Sequence, residues 1–167
     1  MVRHRVQWVE SGGGPLIAVP ETVLPFWAGA EGDETASDYD RACEIDGALG
    51  LLPVGDSAAL VLGDEPASTT FVQEHGTFVR RSAATSEAAV LAALPSALVG
   101  AEWGEEVRWK VPGPVFLFDS ARPGTETRRA APLRIPLTPG PYAVRAARVR
   151  TGTETWPGLV QLRPLEG

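Results

Sequence analysis

Residues 48–62 read ALGLLPVGDSAALVL, two short apolar runs separated by Gly55-Asp56. Neither run is long enough for a stable helix, and Pro53 interrupts the first. Apolar runs of this length around a Gly-Asp turn read as strands, here 49–54 and 58–62. Comparable runs recur at 5–9, 16–19, 69–73, 77–81, 107–111, 115–118, 133–137, 142–150 and 159–162, punctuated by Gly and Pro. Glu74-His75-Gly76 is short enough to join 69–73 and 77–81 as a hairpin. Residues 86–94, SEAAVLAAL, are the one convincing helix, with Ser86 as its cap. Val90, Leu91, Leu94 and Leu98 share its apolar face, and Pro95 is expected to end or kink it. The expectation is an α+β, mainly β protein: a sheet-rich sandwich or barrel-like array of short antiparallel strands with one covering helix. Residues 1–99 form a first β-rich half that includes the helix, and residues 100–167 a second β half packed on it as one unit.

Charge divides the chain more sharply than its total of −6 implies. Residues 1–76 carry thirteen acidic and three basic side chains, a net of −10. Residues 77–167 carry eight acidic and twelve basic, a net of +4. Nucleic acid is recognised through clustered cations, so an acidic half argues against it as a partner. The same field would accelerate the approach of a cationic protein. The single cysteine excludes an internal disulfide, which fits a reducing compartment. Neither a signal peptide nor a membrane span is legible, so the protein is expected to be cytoplasmic, soluble and monomeric.

The acidity is densest at 38–46, DYDRACEID. Read with a period of two, Tyr39, Arg41, Cys43 and Ile45 share one side, and Asp38, Asp40, Glu44 and Asp46 the other. This alternation predicts a strand that presents four carboxylates on one face and buries Cys43 as a small hydrophobe. Catalysis finds few instruments. His4 lies near the terminus and His75 in a turn, so Cys43 lacks a held base. Exposed acids do not provide the pKa contrast that glycoside chemistry requires. Ser11-Gly12-Gly13-Gly14-Pro15 is Gly-rich but lacks the strand and helix of a phosphate loop. No calcium loop is evident, and no metal or other cofactor is expected. In Gly63-Asp64-Glu65-Pro66, Asp64 reads as a turn-locking residue and Glu65 as the better contact.

Three signatures stand in order: Trp27-Ala28-Gly29, Tyr39-Asp40-Arg41-Ala42-Cys43 and Gly63-Asp64-Glu65-Pro66. Over roughly residues 6–99 the chain resembles the immunity protein 21 family of bacterial polymorphic-toxin systems, whose pattern is W-x-G, Y-x-x-x-C, G-D-x-P. The resemblance implies a mostly β cytoplasmic antidote without catalytic residues, which binds a toxin domain and blocks it. It places family motif residues at Trp27, Gly29, Tyr39, Cys43, Gly63, Asp64 and Pro66, read mainly as framework. The charge adds a basic toxin, for instance a nuclease, as the expected partner, met by Asp38, Asp40, Glu44, Asp46 and Glu65. The alternatives are a small-ligand or carbohydrate-binding β module, with a concave aromatic pocket, and a carboxylate- or metal-dependent hydrolase, with paired buried acids.

Overall fold

A computed structural model gives the structure of the protein and describes residues 7–31, 37–63, 67–81, 86–129, 132–151 and 154–166. Among these described residues, ten strands form two antiparallel sheets of five. The first contains β1 (Leu16–Pro20), β2 (Leu49–Val54), β3 (Ser57–Leu62), β7 (Val115–Asp119) and β8 (Leu133–Ile135), in the order β2-β3-β1-β7-β8. The second contains β4 (Ser68–Val72), β5 (Thr77–Arg81), β6 (Glu102–Val111), β9 (Gly140–Thr151) and β10 (Glu154–Pro164), in the order β4-β5-β10-β9-β6. Each sheet takes strands from both sides of residue 100. β1 lies between β3 and β7, and β10 between β5 and β9.

The sheets pack face to face, as the alternation of their side chains dictates. Leu16, Ala18, Leu60, Leu62 and Leu117 meet Phe78, Trp109, Val144, Val160 and Leu162 in the intervening layer. Trp109 reaches across it, its indole N–H donating to the Ala58 carbonyl at 2.8 Å. The opposite face of the first sheet is also covered. Ile17, Val19, Val61 and Phe118 pack there against Val23, Trp27 and Ala42. With both faces buried, β1 has no use for polar residues, and LIAVP is buried throughout. Helix α2 (Glu87–Gly100) covers the outer face of the second sheet, setting Val90, Leu94 and Ala97 on Val79, Val149 and Leu159.

Several sequence expectations need correction. Residues 38–43 form a helix, α1 (Asp38–Cys43), and not a strand. Ser37 caps it: its hydroxyl accepts from the Asp40 N–H at 3.1 Å, and the Asp40 carboxylate accepts from the Ser37 N–H at 3.1 Å. This reciprocal box satisfies two amide groups that a helix start leaves unpaired. α2 runs through Pro95 to Gly100. Pro95 is exposed, so water can reach the carbonyl that it leaves without a donor. Val9 makes an isolated bridge to Thr69, where a strand over 5–9 was expected; residues 5 and 6 lie outside the described residues. Residues Glu21–Phe26 form a 3-10 helix that leads from β1 to Trp27.

The chain crosses from the first sheet to the second after β3, beginning at Gly63. Gly63 donates to the Ala48 carbonyl at 2.9 Å. Its own carbonyl accepts from the guanidinium of Arg80 at 2.7 Å, and Arg80 Nε donates to Thr69 Oγ1 at 3.2 Å. Arg80 is only 2% exposed, so its contacts replace water around a buried charge. A Cβ on Gly63 would collide with the backbone carbonyl of Gly47. Gly63→Ala should therefore push two backbone segments apart and cost about 1–3 kcal/mol, read as a lower urea midpoint in equilibrium unfolding.

Candidate partner-binding surface

Helix α1 is anchored by its own acids. Asp38 Oδ2 accepts from the Ala28 N–H at 2.8 Å, and Asp38 Oδ1 pairs with Arg41 at 2.6 Å. The Tyr39 N–H donates to the Gly29 carbonyl at 3.0 Å. Acids at a helix start meet the positive end of the peptide dipoles, so this placement relieves the repulsion a strand face would have imposed. Asp38 and Asp40 thus serve the local backbone. Glu44 and Asp46 follow the helix and are exposed.

Tyr39 and Cys43 are separated by one helical turn, the spacing at which side chains meet. The phenol and thiol lie close enough to act on one another's ionisation. The Tyr39 ring lies against Gly14, where a Cβ would strike the ring and its hydroxyl. The phenol pKa is raised, first by the neighbouring Cys43 thiol and the charge its thiolate would carry, then by burial and the Asp119 and Asp40 carboxylates. Cys43 is exposed, contrary to the expectation of a buried hydrophobe. The strand reading had placed it on an inward face; the helix turns it outward.

The W-x-G signature meets the same corner. Trp27 is 1% exposed, and its indole N–H donates to the Ser120 carbonyl at 3.0 Å. Gly29 has φ +63°, and a Cβ there would lie 2.6 Å from the Ala121 carbonyl oxygen. Asp119 closes the corner by accepting from the Gly12 N–H at 2.9 Å and the Ala121 N–H at 3.0 Å. Of the third signature only Gly63 is described, at the sheet crossover; Asp64, Glu65 and Pro66 lie outside the described residues.

The tertiary structure adds acids that the sequence reading did not single out. β6 begins Glu102-Trp103-Gly104-Glu105-Glu106, and its register with β9 shifts between Trp103 and Glu106. That bulge turns Glu105 onto the loop after α1, where its carboxylate accepts from the Ala48 N–H at 3.2 Å and packs over Gly47. Gly47 has φ +87°, and a Cβ would collide with that carboxylate. The loop carrying Glu44 and Asp46 therefore abuts the segment carrying Glu102 and Glu105, all four exposed. A cavity of about 260 Å³ opens beside them, with Ala48, Arg80, Glu102, Glu105 and Arg148 in its wall. The sequence signal was the acidic doublet Glu105-Glu106, which breaks the strand alternation.

No carboxylate among the described residues is buried. None of the described His, Cys, Asp and Glu residues form a group of three placed to hold a metal ion. His4 lies outside the described residues, and His75 ends a 3-10 turn, Gln73–His75, where its carbonyl accepts from Thr77 Oγ1 at 2.7 Å. No helix among the described residues is long and apolar enough to cross a membrane.

A family model described as immunity protein 21 matches residues 7–155. No curated protein matches the chain, and no solved structure does. The match extends beyond the three signatures and takes in the first sheet and every strand of the second except most of β10.

Two outcomes follow from the corner built by α1. A thiol reagent added to the native protein should label one cysteine per chain without denaturant, as mass spectrometry would show. The raised Tyr39 pKa means that its contribution to stability is intact below the ordinary tyrosine value, about 10, and is lost as pH rises through the folded-state value. Tyr39→Phe should flatten that alkaline loss in urea melts between about pH 8 and 11.

Proposed function

Because the chain belongs to the immunity protein 21 family, we propose that it binds one cognate toxin domain and neutralises it by covering the toxin's active site. The match over residues 7–155 carries this reading. Inhibition by occlusion requires a stable surface and no reaction of the inhibitor's own. In this reading the protein acts in the cytoplasm as a monomer, and its partner is a toxin protein, not nucleic acid.

The proposed contact surface is the acidic rim, rearranged from the four-carboxylate strand face. Glu44 and Asp46 remain in it as exposed acids, and Glu102 and Glu105 join them across the Gly47 contact. Asp38 and Asp40 support the rim by holding α1 in place. Glu65, beside the crossover in sequence, completes the proposed set. Clustered carboxylates raise the encounter rate with a cationic surface, so the rim suits a basic toxin such as a nuclease, whose own site must attract phosphate.

Co-expression tests the reading. The toxin domain encoded beside this gene should arrest cell growth, and this chain should restore it by forming an isolable complex. Replacing Glu44, Asp46 and Glu102 by their amides should slow association about tenfold at low salt and weaken its salt dependence, measured by stopped flow. An unchanged rate would remove the acidic rim from the account while leaving the antidote in place. Growth arrest that the wild-type chain cannot relieve would count against the antidote itself.

A further inference from the structure

The outer face of the second sheet is covered by α2 over Val79, Val149 and Leu159. The adjoining row is polar. Glu106, Arg145 and Gln161 lie side by side on β6, β9 and β10. The Arg145 guanidinium is 4.0 Å from the centroid of the Trp103 ring. One edge of its fork is held by a single acceptor, with Nε and Nη2 donating to Gln161 Oε1 at 3.0 and 2.7 Å. Trp103 is itself fixed, being half-buried against the cluster beneath α2.

Among the described residues no carboxylate forms an ion pair with this arginine. Glu106 is opposite Arg145 in register, yet its carboxylate pairs with the diagonal Arg163 at 3.1 Å. Among the described residues, Arg145 has only the neutral Gln161 as a hydrogen-bond partner. Burial, followed by the charge of Arg163, lowers the Arg145 pKa, and Glu106 only partly opposes them. A guanidinium offers five N–H donors, and two are used here. The free edge fits a carboxylate in bidentate fashion, and the stacking and Gln161 have already fixed the rotamer that such a pairing would otherwise have to order.

We propose that Trp103 and Arg145 form a docking site for a carboxylate side chain, Asp or Glu, of the toxin domain. This rests on the immunity reading above. The neighbouring carboxylates Glu102, Glu105 and Glu106 and the net charge of −6 disfavour a nucleic-acid phosphate at the same fork. Trp and Arg are among the side-chain types that dominate binding energy at protein interfaces. The site supplies one oriented cation within an acidic rim. That pairing of signs would fix the toxin's orientation, whereas the rim alone would only attract it.

The test is titration calorimetry of the toxin domain encoded beside the gene against wild-type, Arg145→Gln, Arg145→Lys, Gln161→Leu and Arg163→Gln proteins, with the unfolding midpoint of each recorded. Arg145→Gln should raise Kd by at least about tenfold, and Arg145→Lys should restore only part of the loss because it keeps the charge without the fork. Arg163→Gln frees Glu106, which stands opposite Arg145, to pair with the fork from within, so it should also raise Kd, by less than Arg145→Gln. Gln161→Leu leaves the charge and frees the fork, so a smaller rise in Kd is expected even if Arg145→Gln folds poorly. Exchanging each toxin Asp and Glu for its amide should identify one whose effect disappears in the Arg145→Gln background. If wild type and Arg145→Gln bind the toxin equally, this proposal falls and the immunity reading stands. If the wild type does not bind the toxin at all, both fall. Arg145-dependent binding of a DNA duplex probe would reassign the fork to phosphate and overturn the proposal.

Discussion

A buried guanidinium holds the chain where it leaves one sheet for the other. Arg80 is an inward residue of β5, and it binds the Gly63 carbonyl just after β3 and the Thr69 hydroxyl in β4. A charge removed from water is costly unless its donors are answered, so the polypeptide at the crossover is drawn to one position. Gly63 then has to lie against Gly47, which sets where the loop after α1 can run. That loop in turn receives Glu105 from the β6 bulge. Two sheets, a helix-to-strand loop and the acidic rim are thereby coupled through a few backbone contacts. An apolar inter-sheet layer supplies most of the driving force, and these polar contacts decide which segments end up adjacent.

The signature residues acquire separate physical explanations. Trp27 fills the layer over the first sheet and secures the 119–122 segment through Ser120. Gly29 adopts φ +63° against the Ala121 carbonyl, a conformation and a clearance that a side chain would deny. Tyr39 and Cys43 are four apart because they stand one above the other on a helix. Together they and Gly14 close the corner that Asp119 ties through Gly12. Framework and surface are not exclusive here: Cys43 belongs to the corner and still faces solvent.

The strand content was legible from short apolar runs and their turns, and β1, β3, β5 and β7 lie close to where those runs placed them. The hairpin of β4 and β5 was legible as well, because the short connection Glu74-His75-Gly76 allows little else. The reading of 38–46 went wrong for a definable reason. Nine residues, of which only six are helical, are too few to separate a period of 2 from one of 3.6, and the acid alternation outweighed the local signal Ser37-x-x-Asp40. Pro95 misled in the other direction, since an exposed proline in a helix held down by Val90, Leu94 and Ala97 costs less than one in an isolated helix.

The sequence by itself determined that this is a mainly β protein with an acidic front half, and it contained the ordered signatures of its family. These properties are local or additive: propensity, turn chemistry, charge counts and motif spacing are all written along the chain. Which carboxylates stand together was decided only by the tertiary structure. Glu105 comes from a strand 57 residues beyond the Ala48 amide that it binds, and Arg145 is stacked by Trp103 and oriented by Gln161, three side chains from three strands. Such neighbours depend on strand order and on a bulge in register, which arise when the whole chain minimises exposed apolar surface and unpaired backbone at once.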